Sequence, residues 1–100
     1  MAKGYWIARV DVHNDEGYKP YMAANPAIFQ KFGGRFAVRG GKFTCVEGQS
    51  RSRNVVIEFA DYETALACYR SAEYQQNITV RQRHAIADLI VVEGYDGPQP

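Results

Sequence analysis

What the chain lacks narrows its function first. It has no charge excess, since twelve lysines and arginines against eleven aspartates and glutamates leave a net charge of +1. So balanced a surface gives neither nucleic acid nor an anionic membrane a broad electrostatic reason to bind. It has no long apolar run either. The longest, Leu89-Ile90-Val91-Val92, is far too short to span a bilayer, and no membrane partner is expected. The opening Met1-Ala2-Lys3-Gly4-Tyr5-Trp6 lacks the apolar core and cleavage site of a secretory signal, which points to the cytoplasm.

Chemical signatures are missing as well. Cys45 and Cys68 have no CxxC spacing, and they read as two reduced, partly buried thiols, one in a strand and one in a helix. His13 and His84 stand alone, without clustered carboxylates or cysteines, so no metal site is expected. Gly40-Gly41 has neither GxGxxG spacing nor a P-loop lysine. No serine–histidine–acid or cysteine–histidine set can be assembled from local spacing, and no cofactor is expected.

What is present suits one small globule. A hundred residues, 46% hydrophobic and 13% aromatic, argue for a single domain over 1–100, with an ordered core of about 4–94 and a flexible tail at 95–100. A chain this short buries a modest core, and a second subunit is a common way to bury more.

Periodicity supplies the elements. Gly4 to Val12 alternates as a strand, with Trp6, Ala8 and Val10 on one side. Helical spacing of Tyr18, Tyr21, Met22, Ile28, Phe29 and Phe32 predicts a helix from about Glu16 to Phe32. Pro20 belongs in its first turn, Asn25-Pro26 reads as a capped restart with a kink, and Gly33-Gly34 ends it. Arg35–Arg39 is a second strand, bulged at Gly40-Gly41 and resumed from Phe43 to Glu47. Asn54–Phe59 is a third strand, rich in β-branched residues. Asp61 caps a helix carrying Tyr62, Ala65, Leu66, Tyr69 and Ala72 on one face. A further helical stretch covers Glu73 to His84, and Asp88–Glu93 is the final strand. The order βαββαβ predicts an α+β, ferredoxin-like fold with an antiparallel sheet and its helices on one face.

Helices on one face leave the other uncovered. The uniformly apolar sets Trp6/Ala8/Val10, Phe36/Val38, Val55/Ile57/Phe59 and Ile90/Val92 are expected under the helices. That leaves Tyr5, Ile7, Arg9, Asp11, Ala37, Arg39, Val56, Glu58, Leu89, Val91 and Glu93 outside. The second set is too apolar for a solvated face and too charged for a plain core, so a homodimer through Ile7, Val56, Leu89 and Val91 is expected. Glu58 would lie between the strands carrying Arg9 and Arg39, either as a paired network that fixes dimer register or as a pocket for an anionic or carbonyl-bearing small molecule.

Other candidates carry less. Tyr69 is at core spacing, and Tyr74 is placed where a phenol could reach a cavity mouth. The Arg51/Arg53 loop could close over an anionic ligand, but solvated charge is its ordinary reading, as for Arg81 and Arg83; His13 and His84 could each act as a ligand or base but read ordinarily as surface or capping residues. A ligand site should offer roughly 300 Å³.

Tyr5-Trp6-Ile7, Gly33-Gly34-Arg35, Arg39-Gly40-Gly41, Glu47-Gly48, Val56-Ile57-Glu58-Phe59, Tyr69-Arg70-Ser71-Ala72-Glu73-Tyr74-Gln75 and Val92-Glu93-Gly94, in this order and spacing, resemble the bacterial family called domain of unknown function thirteen-thirty. The resemblance covers about Gly4 to Gly94 and implies the dimeric α/β-barrel superfamily, in which two ferredoxin-like sheets pack face to face. It implies no reaction. Relatives in that superfamily include cofactor-independent oxygenases, haem-handling proteins and isomerases, so any activity carried over is analogy. Two functions stay open: a small-molecule-binding dimeric barrel with ligand candidates Arg9, Arg39, Glu58, Tyr69 and Tyr74, or a non-catalytic module whose charges only set dimer register.

Overall fold

Trp6 is the pivot of the core, in a computed structural model that describes all residues, 1–100. Its ring is 1% exposed and meets Phe29 edge-on at 5.0 Å and Tyr74 at 4.8 Å. Its indole Nε1 donates to the Ala65 carbonyl at 2.8 Å, so the one polar atom of the ring is satisfied in the dry interior. Truncating such a residue to alanine typically costs about 3–5 kcal/mol.

Around that residue the chain runs β1 (Gly4–Val12), α1 (Asp15–Lys31), β2 (Arg35–Arg39), β3 (Arg53–Phe59), α2 (Tyr62–Arg70), α3 (Ala72–His84) and β4 (Ala85–Glu93). The sheet order is β2-β3-β1-β4, with every pairing antiparallel. This is the ferredoxin-like arrangement read from the sequence, its second helical segment divided in two. Ser71 makes the division: its hydroxyl donates to the Cys68 carbonyl at 2.7 Å, closing α2, and accepts from the Tyr74 amide at 3.2 Å, opening α3. Asp61 caps α2 as expected, accepting from the Thr64 amide at 2.7 Å.

Helix α1 departs from expectation. Asn14 is its cap, accepting from the Gly17 amide at 3.1 Å, and the helix passes unbroken through Pro20 and Pro26. Asn25 caps nothing. Its side-chain oxygen accepts from Asn77 Nδ2 of α3 at 2.8 Å, and this buried cross-helix bond holds α1 and α3 together. Gly33, with φ of 72°, ends the helix in the left-handed region that glycine enters without strain.

Two strand faces also differ from the reading of the sequence. In β4, Trp6 pairs with Val91 and Ala8 with Leu89. Directly opposed residues share a face, so Ala85, Ala87, Leu89 and Val91 lie under the helices, while Ile86, Ile90 and Val92 face outward. An uninterrupted apolar run has no alternation to reveal this; only pairing decides it. In β2 the register slips between Phe36 and Val38, so the bulge lies at Ala37 rather than at Gly40-Gly41. Past the bulge Val38 pairs with Val56 on the open face, and Arg39 pairs with Val55 on the helix face. Residues 41–52 form no strand, and Cys45 stands exposed there, whereas Cys68 is fully buried in α2.

Candidate functional site

The helix face of the sheet holds the most unusual electrostatics in the molecule. Helix α1 brings Tyr18, Tyr21, Met22 and Asn25 over Trp6, Ala8 and Val10 of β1, with Phe36 and Ile57 alongside; β2, β3 and α3 add Arg39, Arg53 and Arg81 to the same cleft. Arg81 is 8% exposed, and one guanidinium nitrogen, Nη1, donates to the Tyr74 hydroxyl at 3.0 Å. The Tyr74 and Tyr21 hydroxyls lie 2.6 Å apart, and the Arg81 guanidinium sits 5.8 Å from the Tyr21 ring centre. Arg53 Nε is buried with no hydrogen-bond partner. Gly40, with φ of 62°, leaves room for the Arg53 guanidinium, which any side chain there would strike. The Arg39 guanidinium lies over the Phe36 ring, 4.3 Å from its centre, and Arg39 is the one exposed residue of the lining.

None of the six ion pairs of the chain involves Arg39, Arg53 or Arg81. No carboxylate lines the cleft. Burial pushes the Tyr74 and Tyr18 phenols above their ordinary range, so both remain protonated and able to donate at neutral pH. The cavity is small as it stands, about 30 Å³, which is room for a water or two and well below a usual ligand pocket.

On the open face Glu58, Asp11 and Asp88 each have a cationic partner. Glu58 accepts from Lys3 Nζ at 3.2 Å and from the Tyr5 hydroxyl at 3.3 Å. The bond from Lys3, more than the Tyr5 hydroxyl or the Arg35 charge, holds its carboxyl below the usual range. At the other end Arg51 bonds Asp11 at 2.9 Å and Asp88 at 2.8 Å, and Arg9 Nη2 donates to the Gln49 carbonyl at 2.9 Å. A shallow basin of about 300 Å³ lies among these residues. Between the two charged ends run Ile7, Val38, Val56 and Ile90.

The expected constellation is therefore split. Arg9 and Glu58 share the open face but not a network, because Glu58 stands opposite Tyr5 and Arg35 while Arg9 stands opposite Asn54 and Asp88. Arg39 is on the other side of the sheet. Tyr74, placed at a cavity mouth from its sequence position, is fully buried beneath Trp6 and Tyr21. Tyr69 is half-buried and borders a separate groove of about 310 Å³ with Tyr62, Leu66, Leu89 and Val91. Ile7 and Val56 keep their open-face positions; Leu89 and Val91 do not. His84 packs its ring against Gly17 at the start of α1, and His13 is exposed.

Arg53, for which the sequence favours solvated charge over a ligand role, and Arg81, expected to be solvated, both line the cleft. A signal for them existed. Tyr74 and Arg81 are seven apart, two helical turns, which places them on one face of α3 with Asn77 and Ile78.

The family model described as domain of unknown function (DUF1330) matches residues 3–95. The sequence matches none of the curated proteins. Among solved structures, the chain is similar to a protein of unknown function from Rhodopseudomonas palustris (TM-score 0.74, 14% identity, covering 96% of this chain and 85% of that one). It is also similar to SnoaB, a cofactor-independent oxygenase from Streptomyces nogalater (TM-score 0.63, 13% identity, covering 100% and 97%). A third is an ethyl tert-butyl ether d family protein from Bacillus halodurans (TM-score 0.57, 13% identity, covering 95% and 100%). At such identities the likeness establishes the fold and nothing finer.

Proposed function

The chain belongs to the DUF1330 family, and from that premise we propose that it binds a small anionic or carbonyl-bearing metabolite in the cleft between its helices and its sheet. One observation carries the reading: the Arg81 side chain and the Arg53 Nε are buried beside aromatic rings, and no carboxylate is among the lining residues. Desolvating an unpaired charge costs several kcal/mol, and a chain that bears this cost gains it back when an anion enters. Arg53 Nε, buried without a partner, is a donor such an anion would satisfy.

With Arg39, Arg53 and Arg81 in a mostly apolar lining and no carboxylate among them, the cleft suits negative charge on a ligand oxygen. That chemistry calls on no cofactor, in line with the cofactor-independent oxygenase whose fold it shares. Admission of a ligand requires Arg39, the exposed lining residue, and the flexible Met22 to swing aside. No helix is long and apolar enough to cross a membrane, and the free, exposed thiol of Cys45 suits a reducing cytoplasm.

The open face supports the second reading for its own charges. The Lys3–Glu58 pair and the Arg51 pairs with Asp11 and Asp88 stand at the two ends of an apolar strip, which suits a two-fold, face-to-face homodimer whose register those ends set.

Benzoate tests the cleft, followed by the fluorescence of Trp6, the only tryptophan and part of the lining. Saturable quenching is expected in the millimolar range or below, weakened about tenfold or more in Arg53→Gln as a charged hydrogen bond is lost. Quenching that never saturates, or that Arg53→Gln leaves unchanged, overturns the proposal.

A further inference from the structure

The direction of the buried hydrogen bonds in the cleft singles out one atom. A guanidinium only donates, so at the Arg81–Tyr74 contact of 3.0 Å the Tyr74 oxygen is the acceptor. Tyr74 still has its own hydroxyl proton to place. It is 0% exposed, ringed by Trp6, Phe29 and Tyr69, and the Tyr21 oxygen at 2.6 Å is its one neighbouring acceptor. A buried donor left unpaired costs about 1–3 kcal/mol, so Tyr74 donates to Tyr21.

That choice leaves the Tyr21 proton with no partner in the protein. Tyr21 lines the cavity, whereas Tyr74 does not, so a ligand in the cavity is the one partner left for this O–H. The chain Arg81 to Tyr74 to Tyr21 thus carries the polarising effect of a cation through two hydroxyls to a single donor, and each bond strengthens the next.

We infer that Tyr21 is the hydrogen-bond donor to the ligand's charged oxygen, and that the ligand is a planar phenolate or enolate. The inference rests on the cleft reading above and deepens it. Tyr21 offers a single O–H, which a phenolate or enolate oxygen accepts as one charge-assisted bond, and Arg53 Nε is a second donor for the same oxygen. Walls formed by the rings of Trp6, Phe29 and Phe36 suit a flat, delocalised body.

The test measures affinity for para-nitrophenolate, with benzoate in parallel, in the wild-type protein, in Tyr21→Phe and in protein carrying a ring-fluorinated tyrosine at position 21. Expected is binding of para-nitrophenolate by the wild type, weakened about tenfold or more in Tyr21→Phe. The fluorinated ring, a stronger donor, is expected to bind it more tightly than the wild type. A purely structural role for Tyr21 would weaken both ligands alike in Tyr21→Phe and gain nothing on fluorination, and that pattern overturns the assignment. Equal affinity in wild type and Tyr21→Phe overturns it too, with the cleft reading intact. Benzoate binding without para-nitrophenolate binding overturns the ligand class. Failure of both ligands overturns the cleft reading and this inference with it. Should Tyr21→Phe not fold, the fluorinated protein decides: unchanged or weaker affinity refutes the donor role.

Discussion

Replacing Tyr74 by phenylalanine removes a single oxygen and should cost far more than an average hydroxyl. The ring stays packed against Trp6 at 4.8 Å, so little dispersion energy is lost. What goes is the acceptor for Arg81 at 3.0 Å and the donor to Tyr21 at 2.6 Å. A hydrogen bond to a charged group contributes about 1.5–3 kcal/mol, and one between neutral groups about 1 kcal/mol. Arg81, 8% exposed, then loses a main compensation for its buried charge. The expected loss is about 2–4 kcal/mol, a large share of the roughly 5–15 kcal/mol that small proteins have. Urea unfolding at fixed protein concentration reads it as a shift in midpoint at constant slope. The partition is the sharper test. With Arg81→Met in the background the cation is gone, and Tyr74→Phe should then cost only about 1 kcal/mol. A coupling of about 1.5–3 kcal/mol between the two sites follows. Effects that add within about 0.5 kcal/mol would show that the Tyr74 oxygen does not solvate the buried cation.

Two further outcomes follow from the sheet faces and the surface carboxylates. On the proposed face-to-face homodimer, Ile90→Asp is expected to leave the chain folded by circular dichroism but monomeric in sedimentation where the wild type is dimeric, whereas Leu89→Asp, one residue away and under the helices, is expected to unfold it. A folded Leu89→Asp protein contradicts the face assignment, and a dimeric Ile90→Asp one contradicts the proposed dimer through the open face. Asp11, Glu58, Asp61 and Glu73 all have carboxyls held below their ordinary values, first by bonds from Ser52, Lys3, Thr64 and Lys31 respectively. Each contributes stability that is complete above its unfolded pKa and lost as pH falls through its lower native one. Melting temperature is therefore expected to hold from neutral pH down to about 5 and to fall below about 4, the ion-paired part of the loss shrinking in high salt. A flat profile through that acid range would contradict it.

Much of the scaffold was legible locally. The alternation around Trp6 marked β1 and its buried side, Asp61 marked the start of α2, and Gly33-Gly34 marked the end of α1, because each of these depends on neighbours within a few residues. The site was less legible. Arg53 and Arg81 looked like solvated charge, since nothing in their immediate sequence shows that Gly40 clears room for one guanidinium or that Tyr74 solvates the other. Asn25, next to a proline, read as a cap, and its real partner, Asn77, lies half the chain away.

The sequence by itself determined the order βαββαβ, the apolar stripe on α1 and α2 and the presence of a second, partly apolar sheet face, because hydrophobic period and turn chemistry are local properties. Only the tertiary structure decided which way β4 and the end of β2 face. An unbroken apolar run carries no phase, and a one-residue bulge at Ala37 reverses every side chain beyond it. That reversal carries Arg39 from the open face into the cleft, where it joins two arginines brought there by other elements.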